Sequence, residues 1–221
     1  MRSGVHREPS AILLVAQLAG VLLYPFMEGS DVGRALFSVF GIAILGLVFM
    51  AVQRSPAHTW VAVLLGLPAT VLLLIQAVTG DGTLLPYSSA FEAVLYFYAA
   101  GALIAYMLAD HVITRDELFA VGATFTLVAW AFAYTYQVVQ AAEPGSFTAA
   151  IDPEGQRTWM ELLFLSFTTL SGTGLSDIVP IKPFARSVVM LQQLTGLAYI
   201  AMVVSRLVGL LVLGRAGTRP E

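Results

Sequence analysis

Six runs of mainly apolar residues constrain this chain more than any other feature. They lie near 11–27, 34–53, 59–79, 88–109, 117–140 and 184–213. Each is roughly 17–30 residues long, against the ~20 that a helix needs to cross about 30 Å of hydrocarbon. Lipid offers no partner to a backbone N–H or C=O, so a spanning segment must satisfy its own hydrogen bonds. The runs are continuous rather than alternating, which selects helices over barrel strands. Composition agrees: 58% of the residues are hydrophobic and 11% charged, where a soluble domain carries about 25% charged. The expected fold is therefore all-α, integral to a membrane and multi-pass, with the bilayer as its solvent.

The breaks carry turn chemistry. Glu28–Gly33, Arg54–His58, Thr79–Gly82 with Pro86, and Asp110–Glu117 separate the first five runs. Thr114 with Glu117 three residues on reads as a capping box that opens the fifth helix. No small-x-small cleavage site follows the first run, so it reads as a retained span rather than a signal peptide. The chain has no cysteine, and His6, His58 and His111 are scattered. Disulfides and thiolate or histidine metal clusters are excluded. No nucleophile–base set or paired carboxylates sit inside the helices, so no enzyme chemistry is expected. No cofactor, nucleic-acid partner or soluble partner is implied.

The connection between the fifth and sixth runs differs from the others. Residues 141–158 are polar, and Thr158-x-x-Glu161 offers a second capping box. The apolar stretch Trp159–Leu170 that follows would form a helix about 18 Å long, too short to span. Held inside protein it can enter the membrane and return. A small-residue loop, Ser171-Gly-Thr-Gly-Leu-Ser-Asp177, comes next, and then the last long run. An ordinary interhelical loop is the minority reading of this stretch.

Phe167-Thr-Thr-Leu170, Gly174, Asp177, Ile178 and Pro180, followed by Pro183–Ser187 and Ser205–Gly209, carry a resemblance. From about Thr114 to Gly209 the chain resembles the pore half of the voltage-gated-like, potassium-channel-type cation channel superfamily, in particular its small bacterial six-span members. The resemblance implies six transmembrane helices plus a re-entrant pore helix, assembled as a homotetramer around a shared pore. It implies a cytoplasmic tail 1–10, a four-helix peripheral unit 11–109, a linker 110–117, a pore domain 118–213 and a tail 214–221. Within the pore domain, Trp159, Glu161, Phe167, Thr168 and Thr169 fall on the pore helix, 159–170. Ser171, Gly172, Thr173, Gly174, Leu175, Ser176 and Asp177 take the place of the selectivity filter. Gln192, Gln193, Thr195 and Gly196, on the inner helix 184–213, take cavity-lining or hinge positions.

A potassium filter in that family reads Thr-Val-Gly-Tyr-Gly before an aspartate. Here Gly172–Ser176 matches it only at Gly174. Gly172 supplies no hydroxyl at the inner end, while Thr173 offers one a step outward. If Ser176 kept the backbone geometry of the family's second glycine, it would cost about 1–2 kcal/mol. The expected filter is wide or irregular and weakly selective for potassium or non-selective, with monovalent cations (K+ or Na+) as its ligands. Asp177 would ring the outer mouth. A non-conducting scaffold or sensor derived from a channel is the first alternative. A secondary transporter is the second, and it lacks the repeat it would need.

The fourth run has no arginine between Phe91 and Ala109, so strong voltage gating is not expected. Gln17, Gln76 and Glu92 read as interhelical hydrogen-bonding or interfacial groups. Gln192 and Gln193 point about 100° apart, so one faces the cavity and the other the pore helix. Gly196 reads equally as a hinge or as a close helix contact, and Arg206 as snorkelling to the interface. Arg2, Arg7, Arg54, Arg115, Arg215 and Arg219 fall on one side. That bias puts both termini in the cytoplasm, and the resemblance to small bacterial members implies a bacterial inner membrane.

Overall fold

The computed structural model describes residues 8–27, 31–53, 57–80, 82–109 and 114–216. The breaks read around Glu28, Arg54, Asp81 and His111, most of the first tail and residues 217–221 of the last lie outside these residues. The described residues form seven α-helices: α1 Pro9–Met27, α2 Asp31–Gln53, α3 Thr59–Thr79, α4 Leu85–Leu108, α5 Arg115–Ala142, α6 Trp159–Leu170 and α7 Pro183–Ala216. A single 3-10 turn, Gly82–Leu84, precedes α4. Two short strands, β1 Phe147–Thr148 and β2 Val179–Pro180, pair antiparallel. The protein is all-α and integral to a membrane. Among the described residues α1, α3, α4, α5 and α7 are long and apolar enough to cross one. In α2 the described apolar stretch, Phe40–Gln53, is shorter.

Local chemistry sets the helix ends. Pro86 lies in the first turn of α4, where its fixed φ suits a helix and its missing N–H leaves no donor unmet. That moves the start to Leu85, ahead of the expected 88. α3 closes on Gly80 at φ 67°, whose N–H bonds the Gln76 carbonyl. Thr114 Oγ1 accepts the Glu117 N–H at 3.2 Å, so Arg115–Glu117 is the first turn of α5 and not linker. The reciprocal half of the expected capping box is replaced: the Glu117 carboxylate pairs with Arg206 across the fold.

α5 is the central helix, packed against α1, α4, α6 and α7. Its span is 67% buried, whereas that of α3 is 11% buried. α1 and α5 run side by side in the same direction. Ser10 meets Asp116 at one end, and Gly20 meets Trp130 further on. A Cβ on Gly20 would stand 2.5 Å from the Phe40 ring, so only glycine lets α1, α2 and α5 close together here. Parallel α1 and α5 require α2, α3 and α4 to bring the chain back to its starting side.

The α4–α5 seam is aromatic. Tyr96 meets Trp130 edge-on at 6.0 Å and stacks on Tyr134 at 5.6 Å, and Phe97 meets Phe132 edge-on at 5.0 Å. Polar groups tie α4 on both sides: Gln76 Nε2 of α3 donates to Ser88 Oγ at 3.0 Å, and Ser89 Oγ donates to Gln137 Oε1 of α5 at 2.9 Å. Glu92 is buried beside Tyr134 rather than interfacial. Gln17 is fully buried and makes no hydrogen bond among the described residues, which departs from its expected role.

Trp130 is the natural test of this seam because it is 1% exposed, whereas Trp60 is 64% exposed. Trp130→Ala should destabilise the protein by about 3–5 kcal/mol and Trp60→Ala by far less, measured as melting temperature in detergent.

Candidate functional site

The site is built around α6. Thr158 Oγ1 accepts the Glu161 N–H at 3.3 Å, and Glu161 Oε2 accepts the Thr158 N–H at 2.6 Å, completing a capping box. The Arg157 side chain is 2% exposed. Its guanidinium donates to the carbonyls of Ile151, Asp152 and Gly155 and to Glu161 Oε1. Its backbone is fixed as well: the Arg157 N–H donates to Gln140 Oε1 at 2.8 Å, and Gln140 Nε2 to the Arg157 carbonyl at 3.0 Å. The loop 151–157 thus closes around one arginine, which pins the start of α6 to the end of α5.

One face of α6 is buried through Trp159, Leu162, Leu163, Ser166 and Leu170, a helical spacing. Trp159 packs edge-on against Trp130 at 5.2 Å and touches Tyr24 and Tyr134 at 5.3 and 5.6 Å. Lower down, the Tyr136 hydroxyl donates to Gln192 Oε1. Gln192 Nε2 donates to the Ser166 carbonyl at 3.1 Å and to Ser166 Oγ at 2.6 Å. Ser166 Oγ donates to the Ala129 carbonyl at 2.6 Å. Every side-chain group in this buried relay has a partner, so α5, α6 and α7 are held at one depth.

The tip of α6 meets Gly196. A Cβ there would stand 2.1 Å from the Leu170 carbonyl oxygen. Gly196 lies 13 residues inside α7, about 20 Å from its start. The chain then returns: Ile178 is buried, β2 pairs with β1, and the Ile181 N–H bonds the Ser146 carbonyl at 2.9 Å. Entry and exit share one end of α5, and the tip lies deep between α5 and α7. That is the course of a re-entrant segment.

Residues 171–175 and 177 are exposed on this single chain, and Ser176 is half-buried. The loop begins as a glycine-ended helix cap. The Ser171, Gly172 and Gly174 N–H groups bond the Phe167, Thr169 and Thr168 carbonyls. Gly172 and Gly174 sit at φ 73° and 66°, a region that favours glycine. Thr173 Oγ1 turns back to the Thr168 carbonyl at 3.3 Å. Ser176 has no positive φ, so the strain considered for it is not stored. Its Oγ instead accepts the Ile178 N–H at 3.0 Å. Phe167 packs on Phe125 at 6.2 Å.

The structure decides between the readings left open for the last helix. Of the two adjacent glutamines, Gln192 is the one that turns onto α6 and so leaves the cavity-lining group, while Gln193 is exposed. Gly196 is a close contact under a rigid backbone carbonyl rather than a hinge. Thr195 is half-buried, and its hydroxyl is spent on the Leu191 carbonyl at 2.8 Å. Arg206 does not snorkel; it pairs with Glu117 at 3.1 Å. Tyr136, Gln140, Arg157 and Ser166 were not singled out from sequence. The spacing 129, 133, 136, 140 on α5 marks one face, but nothing in it names the partners.

Residues 123–212, from α5 to most of α7, match the family described as "Ion channel". This segment is similar to a potassium-channel-type ion-channel domain. The match carries the functional assignment alone: no curated protein and no solved structure matched the chain. The channel domain begins within α5, and α1–α4 pack onto that helix from outside the matched region.

Two substitutions probe the relay that holds the tip of α6 and the loop 171–177. Gly196→Ala should cost at least about 2 kcal/mol, because the neighbour that must yield is a helix backbone. Gln192→Leu should cost about 1–3 kcal/mol by stranding buried donors and acceptors. Adding Tyr136→Phe to Gln192→Leu should cost less than the sum of the two single changes, in a thermal-melting double-mutant cycle.

Proposed function

We propose that this channel domain assembles as a homotetramer with six spans per chain and passes monovalent cations through a filter formed by Ser171–Asp177. The observation that carries the reading is the deep tip of α6, clamped from behind by α5 and α7, with the loop residues 171–175 that follow it exposed on the single chain. Four copies around an axis would bring these tips together. The exposed side chains Leu191, Leu194 and Leu197 of α7, with Gln193, would then meet sister chains or the cavity.

Selectivity follows from the loop. A potassium filter uses stacked carbonyls that replace the ion's hydration shell. Here the first N–H groups fold back on α6 and two glycines take left-handed geometry, which supports an irregular filter of low selectivity. The same observation favours a second reading, a filter that is closed at rest. The absence of basic residues across α4, Leu85–Leu108, supports weak voltage dependence. The basic residues on the side where α1 starts support cytoplasmic termini, and the resemblance to small bacterial six-span channels supports a bacterial inner membrane.

Purified protein in planar bilayers should carry cation current with reversal potentials near zero under opposed potassium and sodium gradients. Chloride-selective current would sink the cation reading, and a potassium-selective reversal the relaxed filter. Asp177→Asn should lower cation conductance at low salt and leave it nearly unchanged at 1 M, where screening acts over ~3 Å. If wild type is silent, changing Gly172, Thr173, Leu175 and Ser176 to Thr, Val, Tyr and Gly should restore potassium current. Continued silence would place the block elsewhere.

A further inference from the structure

The first turn of α5 holds two consecutive carboxylates that face different partners. Residues next to each other on a helix point about 100° apart. Asp116 turns outward to the peripheral helices. Its Oδ1 accepts the Ser10 N–H at 3.1 Å, and its Oδ2 accepts the Ser10 hydroxyl at 2.9 Å and the Tyr106 hydroxyl at 3.2 Å. Ser10 lies in the first turn of α1, whose N–H groups lack helical partners. Asp116 therefore caps α1 from a neighbouring helix and ties in the end of α4.

Glu117 turns the other way, to Arg206 of α7, with side chains 7% and 16% exposed. The pair borders a small recess lined by Met107, Leu118, Met202 and Leu207. One partner removed from such a mostly buried pair leaves the other's charge uncompensated. The next tie towards the membrane centre is the Tyr199 hydroxyl on the Val121 carbonyl at 2.6 Å. Arg206 thus ties the inner half of α7 to the first turn of α5.

We propose that Asp116 and Glu117 form a coupling joint that sets the inner half of α7. A displacement of α1 or α4 acts on Asp116, passes one residue along a rigid helix, and reaches α7 through Glu117 and Arg206. Glu117 and Arg206 are positioning residues, and α1 and α4 are the input. The proposal rests on the channel reading for its purpose, since the inner half of α7 would border the ion path.

The chain has no cysteine, so V208C gives a clean reporter on an exposed residue of α7. Its modification rate by a charged thiol reagent is measured in liposomes, where no current is needed. Glu117→Ala and Arg206→Ala should each change the rate by on the order of ten-fold. Glu117→Arg combined with Arg206→Glu should bring it back to the parent value. Asp116→Asn, which touches no residue of α7, should move the rate in the same direction as Glu117→Ala.

Unchanged single variants, an exchange that does not rescue, or a silent Asp116→Asn would each overturn the joint. So would a protein that fails to assemble without the pair, since the contact would then belong to the fold. Ion flux measured in parallel separates the two claims. Altered labelling with no current in any variant leaves the joint standing and removes the reading of a filter that conducts at rest. Current with unaltered labelling does the reverse.

Discussion

The buried relay from Tyr136 through Gln192 and Ser166 to the Ala129 carbonyl fixes where α6 ends. A helix of twelve residues in a membrane cannot reach water at both ends, so its tip must find partners within the protein. The relay supplies them from both flanking helices at one depth, and Gly196 removes the side chain that would push the tip away. The loop 171–177 inherits its position from this arrangement. Its course back to the surface is then settled by Ile178 and the short pairing of β2 with β1.

The outer end of α6 is held by a different device. Arg157 gathers three loop carbonyls and one carboxylate, while Gln140 holds its backbone from α5. Buried guanidinium groups are tolerated only when their donors are met, and here the loop is wrapped to meet them. Trp159 then joins α6 to the aromatic seam of α1, α4 and α5. α1 thus meets the start of α6 through Tyr24 and Trp159, and α1 and α4 meet the start of α5 at Asp116. α5 is the common wall through which both contacts pass.

Much of this architecture was legible. Long apolar runs, Pro86 and Thr158-x-x-Glu161 act through backbone rules within a few residues, and they place helix ends to within about three residues. Trp159–Leu170 was readable because its length excludes a span and its cap gives its start. Contacts between distant elements were not readable. Glu117 looked like half of a local capping box, yet Arg206, 89 positions away, offers a charge the local backbone cannot. Gln192 carries the same amide whether it faces a cavity or Ser166, and Gly196 looks the same as a hinge or as a contact.

What the sequence by itself determined is the class of fold, the helices, the re-entrant stub and the altered loop that follows it. These rest on hydropathy, length and capping, which are local. The tertiary structure alone decided which polar groups face one another: Arg157 with its loop, Gln192 with Ser166, Glu117 with Arg206, and Gly196 with Leu170. The reason is physical. A buried polar group needs a partner, and its identity depends on which helices share a depth and a face, a property of packing that no single segment contains.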